Sequence, residues 1–271
     1  MSALGIVGIV LCLVGGFLIF SYFKQKKKME AISGIETTTA AALTEIWKGV
    51  SSEIGTGSFG EPAEVKGMLE CEQPIESEIE KQPCVYYSMR VQRKWEEEYY
   101  ETDDDGNRER KTRQGSDTVS SNSRSVPFLV RDDTGTVKVN PNDADIGGEC
   151  IVDRFEPESA VSGGAISFGN FSFSLGSGSR SGKRRTLGYQ FTETILPLNR
   201  RVYVLGTASD SSGELMIQKP REKGQFIISL KSEEELLKSS KSGMTWSLVG
   251  AAACFVIGIG CIVADVLNLV Q

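Results

Sequence analysis

VPFLVRDDTGTVKVNP, residues 126–141, reads as a strand, a tight turn and a second strand. Val137 and Val139 point to one face and Thr136 and Lys138 to the other, the period of a half-buried strand. The aspartates suggest either a metal site or turn chemistry. Turn chemistry needs fewer parts: an Asx hydrogen bond and a glycine at positive φ.

Period-two segments extend on both sides. Residues 63–72, AEVKGMLECE, form one expected strand, and 84–102, CVYYSMRVQRKWEEEYYET, a second, long one rich in aromatic and β-branched residues. DDDGNRERKTR then turns at Asp105-Gly106, so Asp103 is expected to face Arg108, Glu101 to face Arg110 and Glu98 to face Arg113. That charge run is either a solvated hairpin or an electrostatic docking arm. Residues 114–125, QGSDTVSSNSRS, read as a loop. Further strands are expected over 200–209 and within 214–230, before a short helix capped by Ser232 and Glu235.

Residues 156–185 are rich in glycine and serine and carry Phe168, Phe171 and Phe173. A mobile surface loop is one reading. Contact of Arg180, Lys183, Arg184 and Arg185 with anionic lipid headgroups is the other.

Upstream, 33–54 reads as an amphipathic helix. Ser33 and Glu36 are spaced as a capping box, and Leu43, Ile46, Trp47, Val50 and Ile54 lie on one face. GTGSFG, residues 55–60, has phosphate-loop spacing, yet it follows a helix instead of opening one. Gly55 fits a helix stop, Phe59 a local packing residue and Pro62 a break.

Two stretches, 3–23 and 244–264, carry no charge and are long enough to cross a bilayer about 30 Å thick. The first lacks a basic leader and a small-residue cleavage site, so an uncleaved anchor is expected. Every Lys and Arg lies between Lys24 and Lys241, which places the intervening domain on the cytoplasmic side. Gly8, Cys12 and Gly16 recur at four-residue spacing, as do Gly250, Cys254 and Gly258. These stripes suit an antiparallel helix pair or a homo-oligomeric contact, although glycine is also common in membrane helices.

Composition excludes several chemistries. With no histidine among 271 residues, His-based triads, bases and metal ligands are ruled out. A net charge of −6 disfavours a dedicated nucleic-acid binder. Six cysteines, three of them in the apolar stretches, form no C-x-x-C pair and suggest neither a disulfide framework nor a zinc knuckle. No cofactor and no metal are expected, and no catalytic residue can be nominated.

P-C-V-Y-Y (83–87), F-L-V-x-D-x-T-G-x-V (128–137), LGYQFTETILPLNRRVYVLGTAS and FIISLKSEEELL together resemble the GIDE, or "beside a membrane" (BAM), family. This is the domain that mitochondrial RING-type E3 ubiquitin ligases carry between two transmembrane helices, and the resemblance covers most of 61–240. Those ligases continue into a zinc-binding RING. Without histidine, this sequence resembles the RING-less, prokaryotic-type relatives. The resemblance also implies a domain facing the intermembrane space, opposite to the lysine argument.

The expected architecture is mainly β: a small OB-like barrel with insertions, an amphipathic helix and two transmembrane helices. The expected segments are a transmembrane helix (1–23), a flank with the amphipathic helix and glycine link (24–60), the β domain (61–231), a short helix (232–243) and a second transmembrane helix (244–270). Within the β domain, 94–125 form a charged hairpin insertion and 156–185 a Gly/Ser-rich one. Three functions are open: a non-catalytic membrane scaffold binding a protein partner or a second copy, a substrate-recruiting subunit of the ligase family, and an autonomous enzyme.

Overall fold

The computed structural model describes residues 3–102, 106–160, 165–168, 171–174, 184–222 and 224–270. The elements are α1 (Ala3–Ser33), α2 (Ala40–Ile54), β1 (Gly60–Glu70), β2 (Ile75–Glu76), β3 (Pro83–Thr102), β4 (Arg108–Ser125), β5 (Phe128–Arg131), β6 (Thr136–Val139) and β7 (Asp145–Gly147). They continue with β8 (Glu149–Pro157), a 3-10 turn, β9 (Ala165–Phe168), β10 (Phe171–Ser174), β11 (Arg184–Pro197), β12 (Arg201–Ser209), β13 (Met216–Gln218), β14 (Ile227–Ser229) and α3 (Glu233–Val270).

Five strands close on themselves in the order β1-β5-β6-β13-β12-β1. All contacts round this ring are antiparallel except β6 against β13. Numbered within the barrel, the order is 1-2-3-5-4-1, that of an OB-fold. The chain is mainly β, as expected. FLVR is the second barrel strand and TVKV the third. Phe128, Val130, Val137 and Val139 point inward to pack with Ala63, Val65, Val204 and Ile217.

Two long insertions leave the barrel, 71–127 after β1 and 140–200 after β6. They meet as a second antiparallel sheet in which β3 is flanked by β4 and β11, and β11 by β8. One face of this sheet buries Met89, Val91, Val152, Tyr189 and Phe191 beneath the β9–β10 hairpin, which contributes Ile166 and Phe171.

Several expectations need correction. The stretch 114–125 is strand, because β3 offers it a full ladder despite its polar composition. The 3–23 apolar stretch and its basic flank are one unbroken helix, α1, and the short helix after Ser232 continues into the second apolar stretch as α3. Ser33 therefore ends α1, and its hydroxyl donates to the Met29 carbonyl. Helix α2 begins at Ala40 under a Thr39 cap. Residues 34–38 instead run beside β1, where Thr38 N–H donates to the Glu64 carbonyl at 2.8 Å. Ile46 and Ile54 are exposed; Leu43, Trp47 and Val50 make the buried face.

The hairpin register is one residue from that expected: Glu101 faces Glu109, Tyr100 faces Arg110 and Glu97 faces Arg113. Asp103 lies outside the described residues. Gly106 takes the positive φ of the turn, whereas Gly135 in the D-D-T-G turn does not.

Candidate functional site

The site most distinctive of this molecule is the junction where both apolar helices meet one wall of the barrel. Ile32 of α1 and Leu236 of α3 pack with Tyr203 and Leu205 of β12 and Ile227 of β14. A polar network lies beside this cluster. Glu64, on β1, is 1% exposed. Its carboxylate accepts from the Tyr203 hydroxyl at 2.6 Å and the Thr37 hydroxyl at 2.5 Å, and it pairs with Lys66 at 3.0 Å. Lys66 also reaches Glu233, in the first turn of α3, at 2.7 Å. Desolvation works against the Lys66 charge, but its bonds to Glu233 and Glu64 prevail and raise its pKa. Burial, then the Glu64 bond, raises the Tyr203 pKa and keeps the phenol a donor. Lys28 of α1 adds a 2.6 Å contact to Asp145 of β7. The expected capping box at the head of α3 is formed in both directions, by Ser232 N–H to Glu235 and Glu235 N–H to the Ser232 hydroxyl.

Beyond the junction α1 and α3 pack antiparallel. A Cβ at Gly8 would stand 2.7 Å from the Gly258 carbonyl, and one at Gly258 would stand 3.0 Å from Cys12 Sγ. Gly250 faces Leu18, whereas Gly16 has nothing within 4 Å and Gly15 takes the contact with Phe255. Cys254 is half-buried. Cys12 is thus opposite Gly258, not opposite Cys254. The 3.0 Å approach is close to the spacing of a sulfur from the far β-carbon across a disulfide. The new Cβ would also stand 2.9 Å from the Gly8 carbonyl, so the helices must separate slightly; a Gly258→Cys chain is then expected to form an intramolecular disulfide with Cys12 on mild oxidation, read as a faster-migrating monomer on non-reducing gels. Products joined only between chains would contradict this pairing.

A second clamp fixes α2. Asp132, of the D-D-T-G turn, accepts from Thr134 and Gly135 N–H in its own turn and from Ala40 N–H at 2.7 Å. The Thr134 hydroxyl accepts from Ala41 N–H. The turn thus acts as a remote cap for α2, and its carboxylate needs no metal. At the other end Asp210, fully buried, accepts from Trp47 Nε1 and Phe59 N–H, each at 3.0 Å. Burial opposes the charge of each aspartate. Their N–H and hydroxyl donors prevail, and both pKa values are lowered.

This arrangement also settles GTGSFG. Gly55 ends α2 at φ 86° with its N–H on Ser51, and Phe59 is buried in the barrel core. The stretch lines a cleft of about 530 Å³ with Ile35, Leu205 and Arg221. However, the N–H groups of Gly57 and Phe59 are directed at Asp210, not at the cleft, so they cannot cradle a phosphate.

On the second sheet, the Arg184 guanidinium stacks 4.1 Å from the Trp95 ring and joins Arg113 on the Glu97 carboxylate. This holds Arg184 in the sheet. Arg185 is exposed, and Arg180 and Lys183 lie outside the described residues. Among the described residues no group of three Cys, Asp or Glu could hold a metal ion. The buried Cys84 thiol is pushed up to about 11 by burial, then by the Glu193 charge, which keeps it protonated at neutral pH. Sequence reasoning missed Glu64, Asp210 and Glu193. A signal was available for Glu193 alone, an acid in the inward row of a strand; Glu64 lies on the outer row of β1 beside Lys66, and Asp210 follows the end of β12.

The fold and its junction define an OB-type barrel module carried on two helices long and apolar enough to cross a membrane. The chain belongs to the GIDE family, described as E3 ubiquitin ligase, whose profile matches residues 96–264. The matched interval includes F-L-V-x-D-x-T-G-x-V and begins after P-C-V-Y-Y, so it starts later than the resemblance over 61–240. No curated protein and no solved structure matches the chain.

Proposed function

We propose that the chain is a non-catalytic, membrane-anchored scaffold that holds a protein-binding β module against the bilayer. The observation that carries this reading is the junction. Glu64 and Lys66 tie the barrel to the segment after α1 and to the first turn of α3, so the barrel has a fixed pose on the helix pair. A module held at two points meets other membrane proteins at raised effective concentration. The chemistry of the buried acids supports the reading as well. Glu64, Asp132, Glu193 and Asp210 each accept from several donors and are occupied in holding segments together.

The family description favours a second reading, a substrate-recruiting ligase-family member that works beside a separate catalytic partner. Affinity capture of the full chain from native membranes tests both. A stoichiometric membrane protein is expected for the scaffold, and a ubiquitin-like conjugation enzyme for the second reading. Turnover of a substrate by the purified chain alone would overturn both.

The lysines that follow the first apolar stretch, within α1, support a cytoplasmic β domain. Cys150 is exposed, so in intact cells it is expected to resist a membrane-impermeant maleimide until the cells are permeabilised. Labelling before permeabilisation would place the domain on the other side. Headgroup contact remains a proposal for Arg185 and the neighbouring basic run.

A further inference from the structure

The two outer edges of the second sheet are built differently. On one side β8 (ECIVDRFEP) carries Glu149, Asp153, Arg154 and Glu156 and ends in Pro157, devices that discourage further pairing. On the other side β4 is 18 residues long, about 60 Å at strand rise. Among the described residues, only β3 pairs with it. It contains no proline, and between Gln114 and Ser123 its single charge, Asp117, is held by Arg93 at 2.8 Å. Native sheets keep such edges short or guarded. This one is long; RERKTR guards its first third and Val119 bends it, but 114–123 carry a single paired charge and leave that part of the edge open.

We propose that β4 is a self-recognition edge, pairing antiparallel with β4 of a second copy of this chain to join two of these sheets. The inference rests on the scaffold reading and adds to it what the open edge binds. Charge selects the occupant and the register. The first six residues, RERKTR, are basic, and the last six, SSNSRS, are nearly uncharged. A parallel, in-register partner would stack Arg on Arg, which is destabilising. An antiparallel copy places the basic half against the serine half.

The pairing with β3 shifts register between Val91 and Gln92, leaving Val119 as one extra residue. With a twofold axis at Ser116, residues 114–118 face 118–114 of the second copy. Past the extra residue, 120–125 face 113–108. Glu109 then lies opposite Arg124, Arg113 opposite Ser120, Lys111 opposite Asn122 and Arg110 opposite Ser123. No like charges face one another.

The test uses the full chain in nanodiscs or mild detergent, with Cys150→Ser as background. Ser116→Cys places two thiols opposite each other at the axis and is expected to give a disulfide-linked dimer on mild oxidation. Ser121→Cys faces Thr112, with its own copy about 30 Å away, and is expected to give at least tenfold less. Ser116→Lys sets two ammonium groups face to face. It is expected to move the light-scattering mass from two chains to one, with the circular dichroism spectrum unchanged. A one-chain mass for the unaltered protein at all concentrations overturns the proposal, as does equal crosslinking of the two cysteine variants. So does a two-chain mass that persists in Ser116→Lys. A monomer that still captures a membrane partner would sink self-pairing alone and leave the scaffold reading standing. A dimer that captures none would do the reverse.

Discussion

Replacing Glu64 with alanine is expected to destabilise the folded barrel by about 2–4 kcal/mol, because two hydroxyls lose their acceptor while Lys66, a third exposed, keeps Glu233. In a domain of this size that lowers Tm by on the order of 10 °C. The substitution leaves the Tyr203 hydroxyl and the Thr37 hydroxyl without their acceptor and removes one of the two carboxylates on Lys66. Glu64→Gln separates charge from shape. It retains an acceptor for Tyr203 but no charge for Lys66, and should lose less than the alanine variant. The measurement is thermal unfolding of the full chain in detergent, followed by near-ultraviolet circular dichroism. A Tm within 2 °C of the unaltered chain for Glu64→Ala would show that the apolar cluster around Ile32 and Leu236 holds the junction without the polar network.

The Asp210→Ala chain is expected to release α2. Trp47 loses its acceptor, Phe59 N–H is left buried without one, and the glycine link has nothing to close on. Trypsin cleavage after the exposed Lys48 requires local opening of α2, so its rate should rise by at least about tenfold while the barrel persists. The pH dependence has a defined sign. Asp132 and Asp210 are both held below the ordinary aspartate value of 3.8 in the folded chain. They therefore stabilise the fold above that value, and their contribution fades as pH falls through the lower folded values. Opening of α2, read in acid by hydrogen exchange of its amides corrected for the intrinsic rate, should accelerate below about pH 3.8 in the unaltered chain and depend less on pH in Asp210→Ala. An unchanged Lys48 cleavage rate in Asp210→Ala would remove the carboxylate from the account of α2.

Legibility followed the pattern of inward-facing residues. FLVRDDTGTVKV was readable because its alternation is clean and its turn residues are explicit. The capping box at Ser232 and Glu235 was readable because its spacing sits immediately before a helical run. The same spacing at Ser33 and Glu36 misled, since Ser33 is the last residue of α1 and tertiary pairing with β1 claims the residues that follow. Strand β11 was recognised only through family resemblance. Its inward row runs Tyr189, Phe191, Glu193, Ile195, and the acid breaks the apolar alternation. Glu193 is satisfied by Ser77 and by the N–H groups of Ile79 and Glu80, partners more than a hundred positions away that no local window shows. Strand β4 was invisible for the opposite reason, since it has almost no inward row. The junction was only half legible. The small-residue stripes suited a helix pair or a homo-oligomeric contact, and which residues meet depends on a stagger that spacing does not encode.

Both long helices pass without a break from the barrel into their apolar stretches. The barrel therefore rides on them as on a rigid mast. In a bilayer too thin for their apolar length, the pair would lean to keep that length covered, at a modest free-energy cost per ångström of mismatch. The sheet would lean with it, and its open border would sweep to a new height and angle above the lipid. Membrane thickness would then set which neighbours the module can reach, with no hinge needed anywhere in the chain.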